Sequence, residues 1–190
     1  MEEKTKRPRR WWILGIAAVL CGLALITILS MPFYDDFHKT VRSPEKLREE
    51  LSGVEDVYIP ALPAGAEEAG YSVILDSRTF GASGVGYSIS WKTEADGQKT
   101  DCLLTCDRPE EWNWNDAWNG TKLKRSAASD EPDPYWSLCY RFTLGDRGYT
   151  VAGRYDPEGL SGEALRRAEQ ALEEQLLPLV HEIIDAVKQP

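Results

Sequence analysis

Histidine is scarce in this sequence, and no motif of a common catalytic class is present. The 190 residues include only His38 and His181, and they contain neither a glycine-rich phosphate loop nor a nucleophile elbow. Asp35, Asp36 and His38 lack the further ligands that would complete a coordination shell. His181 and Asp185 have the spacing of surface neighbours on a helix. We therefore predict no catalytic residue, cofactor or metal ligand, and a carboxylate-dependent hydrolase stays as the enzymatic alternative.

Cysteine is nearly as scarce, with four in the chain. Cys102 and Cys106 lack the paired spacing of a zinc site. On one strand they would lie about 13 Å apart, which is beyond the reach of a disulfide. Cys139 is expected to point to the opposite face of the sheet. The pattern predicts half-buried, reduced thiols with no disulfide among these three.

Basic residues are few in the main part of the chain. The chain has 22 Lys and Arg, of which 5 precede Phe33, and 31 Asp and Glu, of which 2 precede Phe33. The residues after Phe33 therefore include 17 basic and 29 acidic residues. The resulting net charge of −12 repels phosphate backbones, which excludes nucleic acid as a partner. It also disfavours docking on an anionic lipid surface. Because a cationic partner suits this charge, an acidic inhibitor or immunity-type protein is a second alternative function.

One long segment has no charged residue at all, from Trp11 to Phe33. As a helix at ~1.5 Å per residue it would be about 35 Å long, enough to cross a bilayer core of ~30 Å. The apolar part of a cleaved signal peptide is usually only about 7–15 residues long. We therefore predict an uncleaved transmembrane helix over residues 11–33, with the membrane as one partner of the chain.

The flanks of this segment predict its orientation. Five basic residues directly precede it, namely Lys4, Lys6, Arg7, Arg9 and Arg10, and Asp35-Asp36 follows it. Clustered Lys and Arg stay on the cytoplasmic side. We expect a basic cytoplasmic tail over residues 1–10, a juxtamembrane linker over 34–42 and an acidic extracytoplasmic domain over 43–190. The expected location is the cell membrane.

Short elements open the domain. Ser43 and Pro44 are typical of a helix N-terminus, and Gly53 can end that helix. Strands are predicted over Val54–Ile59 and Tyr71–Leu75.

Two hairpins form the predicted centre of the domain. Asp96-Gly97 favours a two-residue turn, because both central positions need positive φ. The resulting pairs are Ala95 with Gln98, Trp91 with Cys102, Ile89 with Leu104 and Tyr87 with Cys106. In the second hairpin a turn at Asp146-Arg147 would pair Leu144 with Tyr149, Phe142 with Val151 and Leu138 with Tyr155.

A long amphipathic helix is predicted over residues 161–188, with an apolar stripe that suits packing on a sheet. Pro178 is expected to bend or break it near Leu177. No internal repeat is expected. The predicted fold class is α+β, a mostly antiparallel sheet of about five strands with the C-terminal helix on one face, preceded by the transmembrane helix.

Residues 108–134 are predicted to form a long, irregular, polar insertion, in which Asn119-Gly120 is typical of a turn. Trp112, Trp114 and Trp118 lie in it beside Asn and acidic residues. Aromatic side chains of this kind anchor interfaces and stack on sugar rings or peptides. We predict that these three residues bind a protein or cell-envelope partner. The predicted function is therefore a non-catalytic binding module on a membrane anchor.

Overall fold

A computed structural model describes residues 37–75, 84–130, 132–156, 158, 160 and 162–188, which belong to one compact unit that begins at Asp36. The predicted cytoplasmic tail and transmembrane helix lie outside the described residues. Within the described ranges, no helix is both long and apolar enough to cross a membrane.

Eight strands form a single antiparallel sheet in the order β1-β2-β3-β4-β8-β7-β6-β5. The strands are β1 Phe37–Val41, β2 Glu67–Leu75, β3 Gly84–Ala95, β4 Gln98–Asp107, β5 Asp116–Trp118, β6 Thr121–Ala127, β7 Leu138–Leu144 and β8 Arg147–Tyr155. Two helices accompany them, α1 Pro44–Glu50 and α2 Glu163–Lys188. The α+β class, the antiparallel sheet and the C-terminal helix are confirmed, whereas the expected number of about five strands is wrong.

Three strands lie where none was expected. Strand β1 falls in the segment predicted as a linker, so the sheet begins before Ser43. Strands β5 and β6 lie in the predicted irregular insertion and are joined by Asn119-Gly120, both with positive φ. Strand β6 shows no clear polar face because Lys124 is buried beside its apolar residues. Conversely, residues 54–59 form a loop and no strand.

The first hairpin has the predicted register, with Ala95 opposite Gln98 and Tyr87 opposite Cys106. The second differs, because its turn is Gly145-Asp146 and Leu144 pairs with Arg147. Gly145 has φ of +55°, a conformation that glycine adopts without steric cost. Each β7 residue therefore pairs with a β8 residue two positions earlier than predicted. Because side chains alternate between the two faces of a sheet with period two, every side chain still lies on its predicted face.

The two hairpins share a short sequence pattern and have turns of the same register. Residues 87–92 read YSISWK and residues 136–141 read WSLCYR, each an aromatic, Ser, an aliphatic, a small residue, an aromatic and a base. The same offset of 49 residues relates the turn pairs Ala95–Gln98 and Leu144–Arg147. Leu103 also pairs with its own equivalent, Ala152. The hairpins are thus related by a local two-fold axis through the β4–β8 pair.

Helix α2 covers one face of the sheet, here called the helix-covered face. Its buried residues are Ala168, Glu169, Leu172, Leu176, Leu179, Val180, Ile183 and Ile184. The helix continues through Pro178 without a break, so of the two expected outcomes, a bend or a break, the break is wrong. Gly153 permits the close packing, since a Cβ at that position would lie 2.8 Å from Leu172 Cδ1.

Helix α1 and the loop after it complete this core. Ser43 caps α1 as predicted, with its Oγ accepting from the Lys46 N–H, and Leu47 is buried. The loop is held by buried tyrosines: the Tyr149 hydroxyl donates to Asp56 O at 3.0 Å and accepts from the Tyr58 N–H at 3.0 Å. These bonds satisfy polar groups that would otherwise be costly to bury.

Candidate functional site

The segment after β4 turns back across the face opposite α2, here called the second face. Strand β4 ends at Asp107, and the chain then crosses closely over Gly148 in β8. A Cβ at Gly148 would lie 2.6 Å from the carbonyl oxygen of Arg108, so only glycine permits this crossing. The crossing brings the start of the predicted insertion over the sheet.

Trp112 is the first of the three predicted binding residues, and it is half-buried. The Arg141 guanidinium carbon lies 4.5 Å from the centroid of its ring, within the range of a cation–π contact. Arg141 Nη2 also donates to Asp133 Oδ2 at 2.7 Å. Burial raises the pKa of Asp133, but hydrogen bonds from the Tyr135 N–H and Arg141 outweigh it and lower the pKa overall. Arg141 thus ties both ends of the insertion to β7.

A groove of about 290 Å³ opens beside this ring and is called the Trp112 groove. It is lined by Thr105, Asp107, Arg108, Glu110, Trp112, Phe142, Gly148, Tyr149 and Thr150. Thr105 and Thr150 are direct cross-strand partners on β4 and β8. The groove therefore combines an aromatic side chain with adjacent hydroxyl and charged groups, the mixture found in small-ligand sites.

Trp118 lies elsewhere, on the helix-covered face. Its ring stacks on His181 of α2 with 3.5 Å between centroids and 10° between planes. Asn119 next to it donates to Asp185 Oδ1 at 2.9 Å. Burial lowers the pKa of His181, and Asp185 acts in the opposite direction. Trp118 therefore attaches the β5–β6 turn to α2, although 39% of the residue stays exposed.

Trp114 lines a different hollow of about 580 Å³, with Thr121, Lys122 and Val187 among its neighbours. None of the described residues that line this hollow also lines the Trp112 groove. The structure thus does not bring the three predicted tryptophans together. Trp112 alone lies in the groove on the second face.

A second, partly buried charged cluster joins β6 to α2. Arg125 Nε donates to Glu173 Oε1 at 3.1 Å, and Arg125 Nη2 donates to Glu169 Oε1 at 3.1 Å. The Tyr140 hydroxyl adds a bond to Glu173 at 2.5 Å. Burial raises the pKa of Glu173, but the bonds from Arg125 and Tyr140 outweigh it and lower the pKa overall. This cluster stabilises the helix–sheet contact.

The described residues include five carboxyl groups whose pKa is shifted. Every Asp or Glu with a shifted pKa among them, Asp133 and Glu173 included, has it lowered. The same part of the chain contains no group of three or more His, Cys, Asp or Glu that could hold a metal ion.

The three cysteines of the domain are free and fully buried, whereas half-buried thiols were expected. Burial raises the pKa of Cys102 to about 12, of Cys106 to about 11 and of Cys139 to about 12. Because the thiolate is the reactive form, these thiols are protected from alkylation and oxidation at neutral pH.

No protein-family model, curated protein or solved structure matches this chain. The candidate site is thus defined by its geometry. Sequence reasoning missed Thr105 and Thr150, which line the Trp112 groove, and Arg141, which contacts the Trp112 ring.

Proposed function

We propose that this protein is a single-pass membrane protein whose folded domain is a non-catalytic binding module outside the cytoplasm. Residues 11–33 serve as the anchor, and the Trp112 groove binds a protein or cell-envelope partner. The observation that carries this proposal is the position of Trp112 beside hydroxyl and charged groups from adjacent strands. Trp114 and Trp118 lie outside this groove and are not part of the proposed binding surface.

The chemistry of the groove suits recognition. Trp112 is held by Arg141, so little conformational entropy is lost when a ligand covers its ring. Asp107 and Glu110 supply acceptors, and Thr105 and Thr150 supply hydroxyls that donate and accept. Such a surface binds through stacking and hydrogen bonds and needs no reactive side chain.

A photoreactive phenylalanine analogue at position 110 is expected to form covalent adducts with the partner in intact cells. Glu110 is exposed and lines the groove, so a probe there lies within reach of a bound molecule. Adding Trp112→Ala should abolish these adducts, since interface aromatics carry much of the binding energy. The measurement is the shift of the labelled protein on denaturing gels after illumination.

The matched control places the same analogue at position 96, an exposed turn residue at the other end of β4. Adducts of equal yield at positions 96 and 110, or adducts at 110 that persist in Trp112→Ala, would contradict binding at the groove. Urea unfolding of Trp112→Ala separates lost binding from lost folding. Should that variant unfold, the analogue at position 110 combined with Thr105→Val and Thr150→Val gives a second comparison that keeps Trp112 in the groove.

The orientation of the chain can be tested with Ser52→Cys in the full-length protein. Ser52 is exposed after α1, whereas Cys102, Cys106 and Cys139 are buried with raised pKa values. Cys21, the fourth cysteine, lies within the proposed membrane span. A membrane-impermeant maleimide should therefore label the variant in intact cells and leave the unsubstituted chain unlabelled. The mass of the recovered protein measures the reaction.

Labelling only after cell lysis would place the domain in the cytoplasm and reject the proposed orientation. Extraction at alkaline pH tests the anchor in the same samples. Protein that leaves the membrane pellet without detergent, or that begins downstream of Phe33, would reject the transmembrane helix.

A further inference from the structure

A line of hydroxyl side chains crosses the second face at right angles to the strands. Directly opposed pairs link each residue to the next: Thr40 with Ser72, Ser72 with Ser88, Ser88 with Thr105, and Thr105 with Thr150. Opposed residues of antiparallel strands project to the same face, so all five side chains lie on it. With about 4.8 Å between strands, this hydroxyl row is about 19 Å long.

The hydroxyl row leads into the Trp112 groove. Its last two members, Thr105 and Thr150, line the groove, and the next residue in the same row is Arg141 on β7. Arg141 in turn holds the Trp112 ring. The row and the ring thus form one continuous strip on a face that α2 leaves uncovered. The row members are exposed or half-buried, so a ligand can reach them.

The hydroxyl row itself contains no charged residue, and charged side chains meet it at the groove, where Asp107, Arg108 and Glu110 lie. The parallel row on one side passes through Ser90, Leu103 and Ala152, and the row on the other side passes through Ile74 and Gly86. The guanidinium of Arg141 is already paired with Asp133. The domain as a whole repels polyanions. A complementary ligand is therefore neutral, extended, and rich in hydroxyls that donate and accept hydrogen bonds.

We propose that this strip binds a neutral glycan chain that lies across the strands, with one sugar ring stacked on Trp112. Successive sugar units then meet successive strands, because the strand spacing of about 4.8 Å is close to the advance of one pyranose ring. Asp107 and Glu110 accept hydrogen bonds from hydroxyls of the stacked sugar. This inference rests on the proposed function and names the class of partner that the groove recognises.

Calorimetric titration of the full-length chain tests the proposal with three neutral pentasaccharides, cellopentaose, laminaripentaose and N-acetylchitopentaose. A detergent without a sugar headgroup, such as lauryldimethylamine oxide, avoids competition for the site. We expect saturable binding of at least one probe, weakened about tenfold or more by Trp112→Ala. Thr105→Val combined with Thr150→Val should weaken it by a similar factor, since each removes a hydroxyl while keeping a β-branched side chain.

Trp118→Ala is the matched control, because that ring stacks on His181 of α2 and lies off the strip. Its affinity for the probe should stay within about twofold of the unsubstituted chain. Should Trp112→Ala fail to fold, the double Thr variant alone decides the result. Binding that neither the Trp112 nor the Thr substitutions weaken would overturn the proposed site.

Absence of binding by all three probes at about 10 mM, a concentration that fills millimolar sites, would also overturn the proposal. A protein adduct at position 110 that still depends on Trp112 would then leave the binding module intact and reject only the glycan. If neither glycan binding nor a Trp112-dependent adduct at position 110 is observed, the binding module is rejected as well. The two proposals therefore fail in distinguishable ways.

Discussion

Replacing Arg125 with methionine is expected to lower the free energy of unfolding by about 3 kcal/mol at pH 7. Arg125 is the shared cation of Glu169 and Glu173, and its removal leaves two carboxylates at the helix–sheet contact without a positive partner. Glu169 has a side chain only 9% exposed, so water compensates little. Its bond from the Ser129 N–H at 3.2 Å remains, which limits the loss.

Urea unfolding measures this loss as a lower midpoint with an unchanged slope. Arg166→Met is the matched control, since Arg166 lies exposed on α2 and its replacement should cost less than about 0.5 kcal/mol. Equal effects of the two substitutions would show that the Arg125 cluster does not stabilise the contact.

The pH dependence of the same variant follows from Glu173. The folded-state pKa of Glu173 is lowered, so its stabilisation is present above its unfolded pKa of about 4.3 and is lost as pH falls through the folded value. Without Arg125 the pKa of Glu173 rises, which makes protonation on acidification favour the folded state of the variant. The difference in stability between the two proteins should therefore shrink below about pH 4. A constant difference from pH 7 to pH 3 would contradict this account.

The second large effect is expected for Gly86→Ala in β3, about 3 kcal/mol of destabilisation or more. A Cβ at this position would lie 2.0 Å from the carbonyl oxygen of Cys106 and 3.2 Å from the Cα of Asp107. These are backbone atoms of β4, so neither can move aside as a flexible side chain would. The two strands would have to separate at the end of β4, next to the Trp112 groove.

Gly53→Ala gives the matched control, because a Cβ there would have no atom within 4 Å and the residue has no positive φ. Its free energy of unfolding should change by less than about 1 kcal/mol, so its thermal midpoint should change little. Amide hydrogen exchange locates the damage: protection in Gly86→Ala should fall first between β3 and β4. A Gly86→Ala protein as stable as Gly53→Ala would show that this close approach is not a constraint on the fold.

Local signals in the sequence were sufficient for several elements. Ser43-Pro44 marked the start of α1 because capping involves only neighbouring residues, and Asp96-Gly97 fixed the first hairpin because a two-residue turn sets the register. The second turn was misplaced by one residue, since Gly145-Asp146 and Asp146-Arg147 are both plausible turn pairs and only the packing of the strands selects between them.

The strands that were not predicted, and the pattern that the two hairpins share, both give weak signals in the sequence. Strand β5 has three residues, too few for periodicity, and Lys124 in β6 is buried. The six-residue pattern of the two hairpins shares side-chain class and only one identical residue, so it becomes visible once the β4–β8 pairing relates the two hairpins.

The sequence by itself determined the α+β class, the first hairpin and the amphipathic C-terminal helix, because each depends on the spacing of residues along a short stretch of chain. Only the tertiary structure decided which tryptophan lies in a groove, which hydroxyls form one row, and which arginine holds the Trp112 ring. Those relations join side chains that are distant in the chain, and strand pairing brings them together across the sheet.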